Sequence, residues 1–417
     1  MMPNQKIQDG SYKMDAFFND GHKNSLGLFE LVIRDGVPHA LVSTIPTTAG
    51  EEKFWKVLDA NHLEPAQIDG ANYFYREMLY LPSDLKSMWR ELYGHVRPIV
   101  HTEGNGMRFV AAGNRVFYSD PKAKQWKCVA DFLKFFAEQT FGRGWILDEI
   151  NKPEKEQHQI VKFHWAVHGQ LHKAVKDEQG EYGILPCGSS NYFYNLAYDL
   201  FVLQDNDVLF DRWLQRLKNK NEFQGVRHEI FAGATCIRAG FKITPDQAET
   251  PTEFIATHTN TGMHIAVEAK SRHRAGVLDA NVQVKKKPNP KAQIIQILNQ
   301  ALKKSVSQPY VIFIDLNLPF SPEPAFQKKW FQEIHGSILT QLDDSSLTKR
   351  DKFNMIVFTN HPWHYGENNQ PSPPLEPGIC LVSKYPEKEF TNDTVLNELM
   401  KAVQLFGNIP KGFPIYA

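Results

Sequence analysis

The fold is decided by residues 252–270: Thr252-Glu253-Phe254-Ile255-Ala256-Thr257-His258, then Thr259-Asn260-Thr261-Gly262, then Met263-His264-Ile265-Ala266-Val267-Glu268-Ala269-Lys270. β-Branched residues and period-two alternation mark both arms as strands, and Asn260 and Gly262 supply turn chemistry, so the stretch reads as a β-hairpin. In the second arm Ile265, Val267 and Ala269 point to one face, and Ala266, Glu268 and Lys270 to the other. Folding about Asn260 and Thr261 sets Glu253 across from Glu268. Carboxylates directly opposite one another oppose folding. A hard divalent cation such as Mg²⁺, which takes carboxylate oxygens and keeps several waters, would relieve that repulsion. Lys270 beside it could orient or help deprotonate a metal-bound water, or stabilise charge on a phosphate.

Working outward, Val226, Ile230, Ala234, Ile237 and Phe241 follow the three-to-four spacing of a buried helical stripe over about 222–239, with Gly240 as the stop. Glu229 borders that stripe. A short strand at 241–244 follows, then the hairpin, a helix over 290–304 and the apolar run Tyr310-Val311-Ile312-Phe313-Ile314-Asp315 of a doubly covered strand. The order is helix, strand, strand, strand, helix, strand. With Glu-x-Lys on one strand, an acid on the preceding strand and Glu229 upstream, residues 221–316 resemble the PD-(D/E)xK nuclease superfamily.

That resemblance implies an α/β fold: a restriction-endonuclease-like αβββαβ core with a mixed sheet. It also implies Mg²⁺- or Mn²⁺-dependent hydrolysis of phosphodiester bonds, with DNA a stronger candidate than RNA, in settings such as restriction or phage defence. Glu253 and Glu268 would hold the metal, Lys270 would serve the attacking water and the phosphate, and Glu229 would support the metal or its waters. The superfamily usually has Asp where Glu253 stands; the literal Pro245-Asp246 falls seven residues earlier and keeps Asp246 in reserve. A nuclease-like domain serving only in binding or assembly is the rival reading. Some relatives place a Gln on the following helix near the site, which singles out Gln293, although their accompanying Tyr is absent here.

After Lys270 the chain turns basic, with Arg272, Arg274, Lys285, Lys286 and Lys287 opposed only by Asp279. Such clusters contact phosphates without reading sequence. Lys plus Arg and Asp plus Glu are 47 each over the whole chain, so any basic surface must be local.

The 417 residues, 42% hydrophobic, suffice for two or three domains. Residues 1–150 read as a separate α+β accessory region, with hairpins around Asp35-Gly36 and Gly113-Asn114 and helices at 51–61, 83–93 and 128–140. The polar, proline-containing stretch Asn151–Gln157 reads as a linker, 151–220 as a helical connecting segment, and 221–417 as the nuclease-like domain with an α/β extension. Four scattered cysteines form no Cys-x-x-Cys pair and fit a reducing, cytoplasmic setting, with no membrane segment and no signal peptide expected. Partnership with another protein or another copy stays open.

Three histidines recur every four residues at His164, His168 and His172, but helical histidines without an accompanying acid are more often a packed face than a metal site. His264 shares the parity of Glu268, and His361 and His364 follow a strand end, where loop packing is the commoner role. No His-Glu-x-x-His motif and no phosphate-binding Gly-x-x-x-x-Gly-Lys-Ser/Thr loop occur.

Overall fold

The computed structural model describes residues 89–99, 128–171, 186–244, 252–272, 294–336, 351–366 and 370–411, and strand segments, mainly backbone, within 10–72, 101–119 and 175–183. An antiparallel sheet of β1 (Gly10–Phe17), β2 (Ser25–Arg34), β3 (Val37–Thr47), β4 (Gly50–Val57), β7 (His101–Gly104), β8 (Met107–Ala112) and β9 (Arg115–Tyr118) runs in the order β4-β3-β2-β1-β7-β8-β9. Two short hairpins pair β5 (Gln67–Ile68) with β6 (Ala71–Asn72) and β10 (Val175–Lys176) with β11 (Tyr182–Gly183). The helix expected over 51–61 is not formed where the chain is described: residues 50–57 are strand β4, paired antiparallel with β3 from Ala40↔Val57 to Thr47↔Gly50. A neighbouring strand with open hydrogen-bonding groups has overridden a weak local helical preference.

Helices α1 (Val129–Phe141), α2 (Arg143–Ile150), α3 (Gln159–Leu171), α4 (Gly188–Asp205), α5 (Asp211–Leu217) and α6 (Phe223–Arg238) follow. Phe117 of β9 meets Phe136 of α1 with ring centroids 5.0 Å apart, and Phe136 meets Phe201 of α4 at 5.5 Å. The same buried cluster continues without a break through α6 into the second sheet. Residue 150 therefore does not divide two cores among the described residues. Nor is 151–157 a loose tether, because the Gln157 amide donates to the carbonyls of Ile150 and Lys152 at 3.0 Å each and closes a tight turn.

The second sheet is mixed and six-stranded, ordered β12 (Phe241–Thr244), β13 (Phe254–His258), β14 (His264–Ser271), β15 (Tyr310–Asp315), β16 (Met355–Thr359) and β17 (Ile379–Val382). β12, β13 and β14 pair antiparallel; β14, β15 and β16 pair parallel; β17 returns antiparallel. Helix α7 (Ile294–Leu302) lies between β14 and β15 in the chain, and α8 (Lys329–Ile334) and α9 (Asp393–Gln404) follow. The expected succession of helix, three strands, helix and strand is thus present as α6-β12-β13-β14-α7-β15, and the C-terminal strands extend the same sheet.

Alternation divides the sheet between two helical layers. Ile265, Val267, Ala269, Val311, Phe313 and Val357 pack on the side of α6 and α9. Ala266, Ile312, Ile314, Ile356 and Phe358 pack on the side of α7 and α8. β15 is buried over its first five residues because it is covered on both faces, and each such aliphatic or aromatic side chain contributes about 1.5–3 kcal/mol.

The turn from α6 into β12 depends on Gly240, whose φ is 85° and whose missing Cβ would lie 3.2 Å from His258 Nε2. Gly240→Ala should cost about 1–2 kcal/mol, from the left-handed backbone alone, in urea unfolding. A cost near zero would show that the helix can end another way.

Candidate active site

The register of β13 against β14 brings the hairpin acids together. The ladder runs from Thr257↔His264 to Phe254↔Val267, and the Glu253 amide donates to the Val267 carbonyl at 3.0 Å just beyond it. Glu253 therefore enters the strand across from Glu268, as the turn chemistry predicts. Glu268 is 0% exposed, which excludes a solvent-facing ion pair. Taking an ion out of water costs several kcal/mol, so the carboxylate must be compensated locally.

Two lysines compensate it. Lys270 pairs with Oε1 of Glu268, and Lys304, just past the end of α7, donates to Oε2 at 2.6 Å. Lys270 also lies 3.7 Å from Glu253 Oε1, the one ion pair Glu253 makes among the described residues. Burial alone would lower the Lys270 pKa, but Glu268, Glu253 and Glu229 outweigh it and push it up. Lys270 is therefore firmly protonated at neutral pH. Of the roles its position suggests, orienting a water and stabilising phosphate charge fit this state, whereas taking a proton does not.

Glu229 projects from α6 into the same electrostatic neighbourhood, held by partners on α5. Arg216 donates from Nη1 to Oε2 and from Nη2 to Oε1, each at 2.7 Å, and Trp213 Nε1 donates to Oε2 at 3.1 Å. A bidentate guanidinium leaves this carboxylate little freedom to turn toward a ligand. Its effect on the site is chiefly electrostatic. Burial, and then the charges of Glu229 and Glu268, raise the Glu253 pKa to about 7, against the opposing pull of Lys270 and Lys304.

Arg216, Trp213 and Lys304 are the site residues that sequence reading missed. Lys304 had a signal: it falls three residues after Ala301 and so continues the apolar stripe of α7, where a cation requires a buried partner. Trp213 and Arg216 stand three apart on α5, a spacing too common to carry information by itself.

The remaining candidates divide by position. His264 is exposed at the far end of β14 from Lys270, and its Nδ1 shares a 2.9 Å hydrogen bond with Thr257 Oγ1, so it does not join the cluster. Arg272 leaves β14 directly, its amide donating to the Asp315 carbonyl at 3.1 Å and its carbonyl accepting from Asn317 Nδ2 at 3.0 Å. Arg274, Lys285, Lys286, Lys287, Gln293 and the reserve acid Asp246 lie outside the described residues. His361 and His364 line a separate cleft at the C-terminal ends of β15 and β16, with Arg227, His228 and Asp315. There His361 stacks on Phe406 with centroids 3.8 Å apart and His364 Nε2 bonds Asn317 Oδ1 at 2.9 Å, the packing role expected for them. Burial, helped by the Arg227 charge, pulls His228 down to about 3 and His361 well below its ordinary value.

Comparison with family models, curated proteins and solved structures finds no match to this chain.

The Glu253 carboxyl has a testable thermodynamic consequence. Its folded-state pKa lies above the ordinary 4.5, so between that value and about 7 the native state binds more protons than the unfolded one. Stability from this group is present in acid and is lost as pH rises through that window. Urea unfolding in EDTA should show wild type losing a few kcal/mol relative to Glu253→Gln between about pH 4.5 and 7. Parallel pH profiles for the two proteins would disprove the shift.

Proposed function

We propose that this chain is a metal-dependent nuclease of the PD-(D/E)xK type, hydrolysing phosphodiester bonds of nucleic acid, with DNA as the first substrate. The observation that carries the reading is the meeting of Glu253, Glu268 and Lys270 at one point on the β13–β14 hairpin. The αβββαβ succession around them supports it, as does the basic character of the chain that leaves β14.

The donor set suits Mg²⁺ or Mn²⁺. Two carboxylates converge there, and Glu253 retains its proton to an unusually high pH because burial, and after it the charges of Glu229 and Glu268, disfavours its ionised form. Glu253 and Glu268 would hold the ion, on condition that Lys304 releases Oε2 of Glu268. When bound, such an ion supplies a more acidic water and neutralises charge on the scissile phosphate. Lys270, charged and partly exposed, orients that water or donates to a phosphate oxygen. Glu229, fixed by Arg216 and Trp213, sets the field that tunes Glu253. Arg272 and the basic residues after it would grip the backbone. Restriction or phage defence is a setting consistent with this chemistry.

A second reading, a nuclease-like subunit that binds nucleic acid without cutting it, draws on one feature: both oxygens of Glu268 already have lysine partners. Plasmid DNA, linear DNA and RNA incubated with the purified protein in EDTA, Mg²⁺ or Mn²⁺ separate the two. Cleavage that requires metal and falls by about 100-fold or more in Lys270→Ala and Glu268→Gln, with both variants folded, supports the enzyme. Binding without cleavage, equal in wild type and variants, would support the scaffold.

A further inference from the structure

Helix α3 carries His164 and His168 four residues apart, so both face the same neighbour one turn apart. Sequence alone gives these histidines no acid, but the fold does. Glu138 of α1 approaches from the adjoining helix, and His164 Nε2 lies 2.7 Å from its Oε1. The His164 and His168 rings meet edge to face with centroids 4.7 Å apart. One donor atom from each of the three residues lies within 4.8 Å of the others, and among the described residues they form the one group of three or more such side chains so disposed.

From this convergence we propose that Glu138, His164 and His168 form a zinc site, independent of the Glu253 cluster. Two imidazoles and a carboxylate are a zinc donor set, and three protein ligands leave a fourth position for water. Imidazole-rich sites also favour zinc over the hard ions suited to Glu253 and Glu268. Small movements suffice, since tetrahedral bonds of about 2.0–2.1 Å place ligand atoms a little over 3 Å apart.

His164 is 6% exposed, and its Nδ1 has no hydrogen-bond partner among the described residues, so the contact with Glu138 is what orients the ring. His168 and Glu138 are half-buried, which leaves a route from solvent. Lys134 Nζ now sits 2.6 Å from Glu138 Oε1 and occupies the place of a cation. Zinc binding would displace it. The bound ion would pin α1 to α3 in the layer that joins the two sheets, stabilising that junction.

The test uses tag-free, full-length protein stripped with EDTA and titrated with Zn²⁺ against a chromophoric chelator, with Co²⁺ substitution to report geometry. One equivalent should bind, Co²⁺ should give the intense visible absorption of a tetrahedral site, and Zn²⁺ should raise Tm. His168→Ala and Glu138→Gln, at half-buried positions, should each weaken binding by at least about 100-fold and abolish the Tm shift. Lys134→Ala should strengthen binding, and Glu268→Gln should leave it unchanged. Absence of a saturable site, or equal affinity in His168→Ala, would mean that the cluster is an ion-pair network only. Loss of zinc in Glu268→Gln but not His168→Ala would place the ion at the other cluster and overturn the proposal. Nuclease activity, present or absent, bears on none of these readouts.

Discussion

A fully buried carboxylate at the centre of a sheet is the constraint on which this structure turns. Glu268 lies on the strand where antiparallel pairing gives way to parallel pairing, covered on one side by β13 and on the other by β15. Left unpaired it would disrupt the fold, since removing one partner of a buried ion pair costs about 3–5 kcal/mol. Its two lysines come from different elements, Lys270 from the same strand and Lys304 from the chain just beyond α7. The carboxylate thus ties the helix on one face to the strand beneath it. Such pairs seldom add net stability over apolar packing. What this one supplies is position: a charged trio held to a fixed geometry beside an acid poised to change protonation.

The neighbouring groups grade the cluster from rigid to responsive. Glu229 is locked by three donors from Arg216 and Trp213. Glu268 has one lysine ion-pair partner on each oxygen. Glu253, with one ion pair at 3.7 Å among the described residues, is the least committed, and burial first of all raises its pKa to about 7. The fixed member sets the field and the loose member answers it.

The hairpin was legible in the sequence because its determinants are local. Strand alternation, an Asn-Thr-Gly turn and a register that puts apolar residues on one face all lie within residues 252–270. The β15 run was equally plain, since a strand covered on both faces must be apolar throughout. What escaped was everything set by distant partners. Lys304, Arg216 and Trp213 acquire meaning only when α5, α6 and α7 are placed, and Glu138 joins His164 across 26 residues of chain. Residues 50–57 show the same limit from the other side, because a segment without decisive periodicity takes the structure its neighbour β3 offers. The core shared across residue 150 follows likewise from aromatic residues scattered between positions 117 and 201, which no local pattern connects.

The change from antiparallel to parallel pairing at β14 also orders events in time. The β13–β14 hairpin closes through a short turn, a local contact, whereas β15 reaches β14 only after the long connection through α7 has been made. During synthesis, Glu253 and Glu268 are made before Lys304 and the covering strand. The newly made hairpin segment carries two acids with Lys270 alone to offset them. Its environment is completed only when residue 315 has emerged, which ties assembly of the charged cluster to completion of the sheet's central strands.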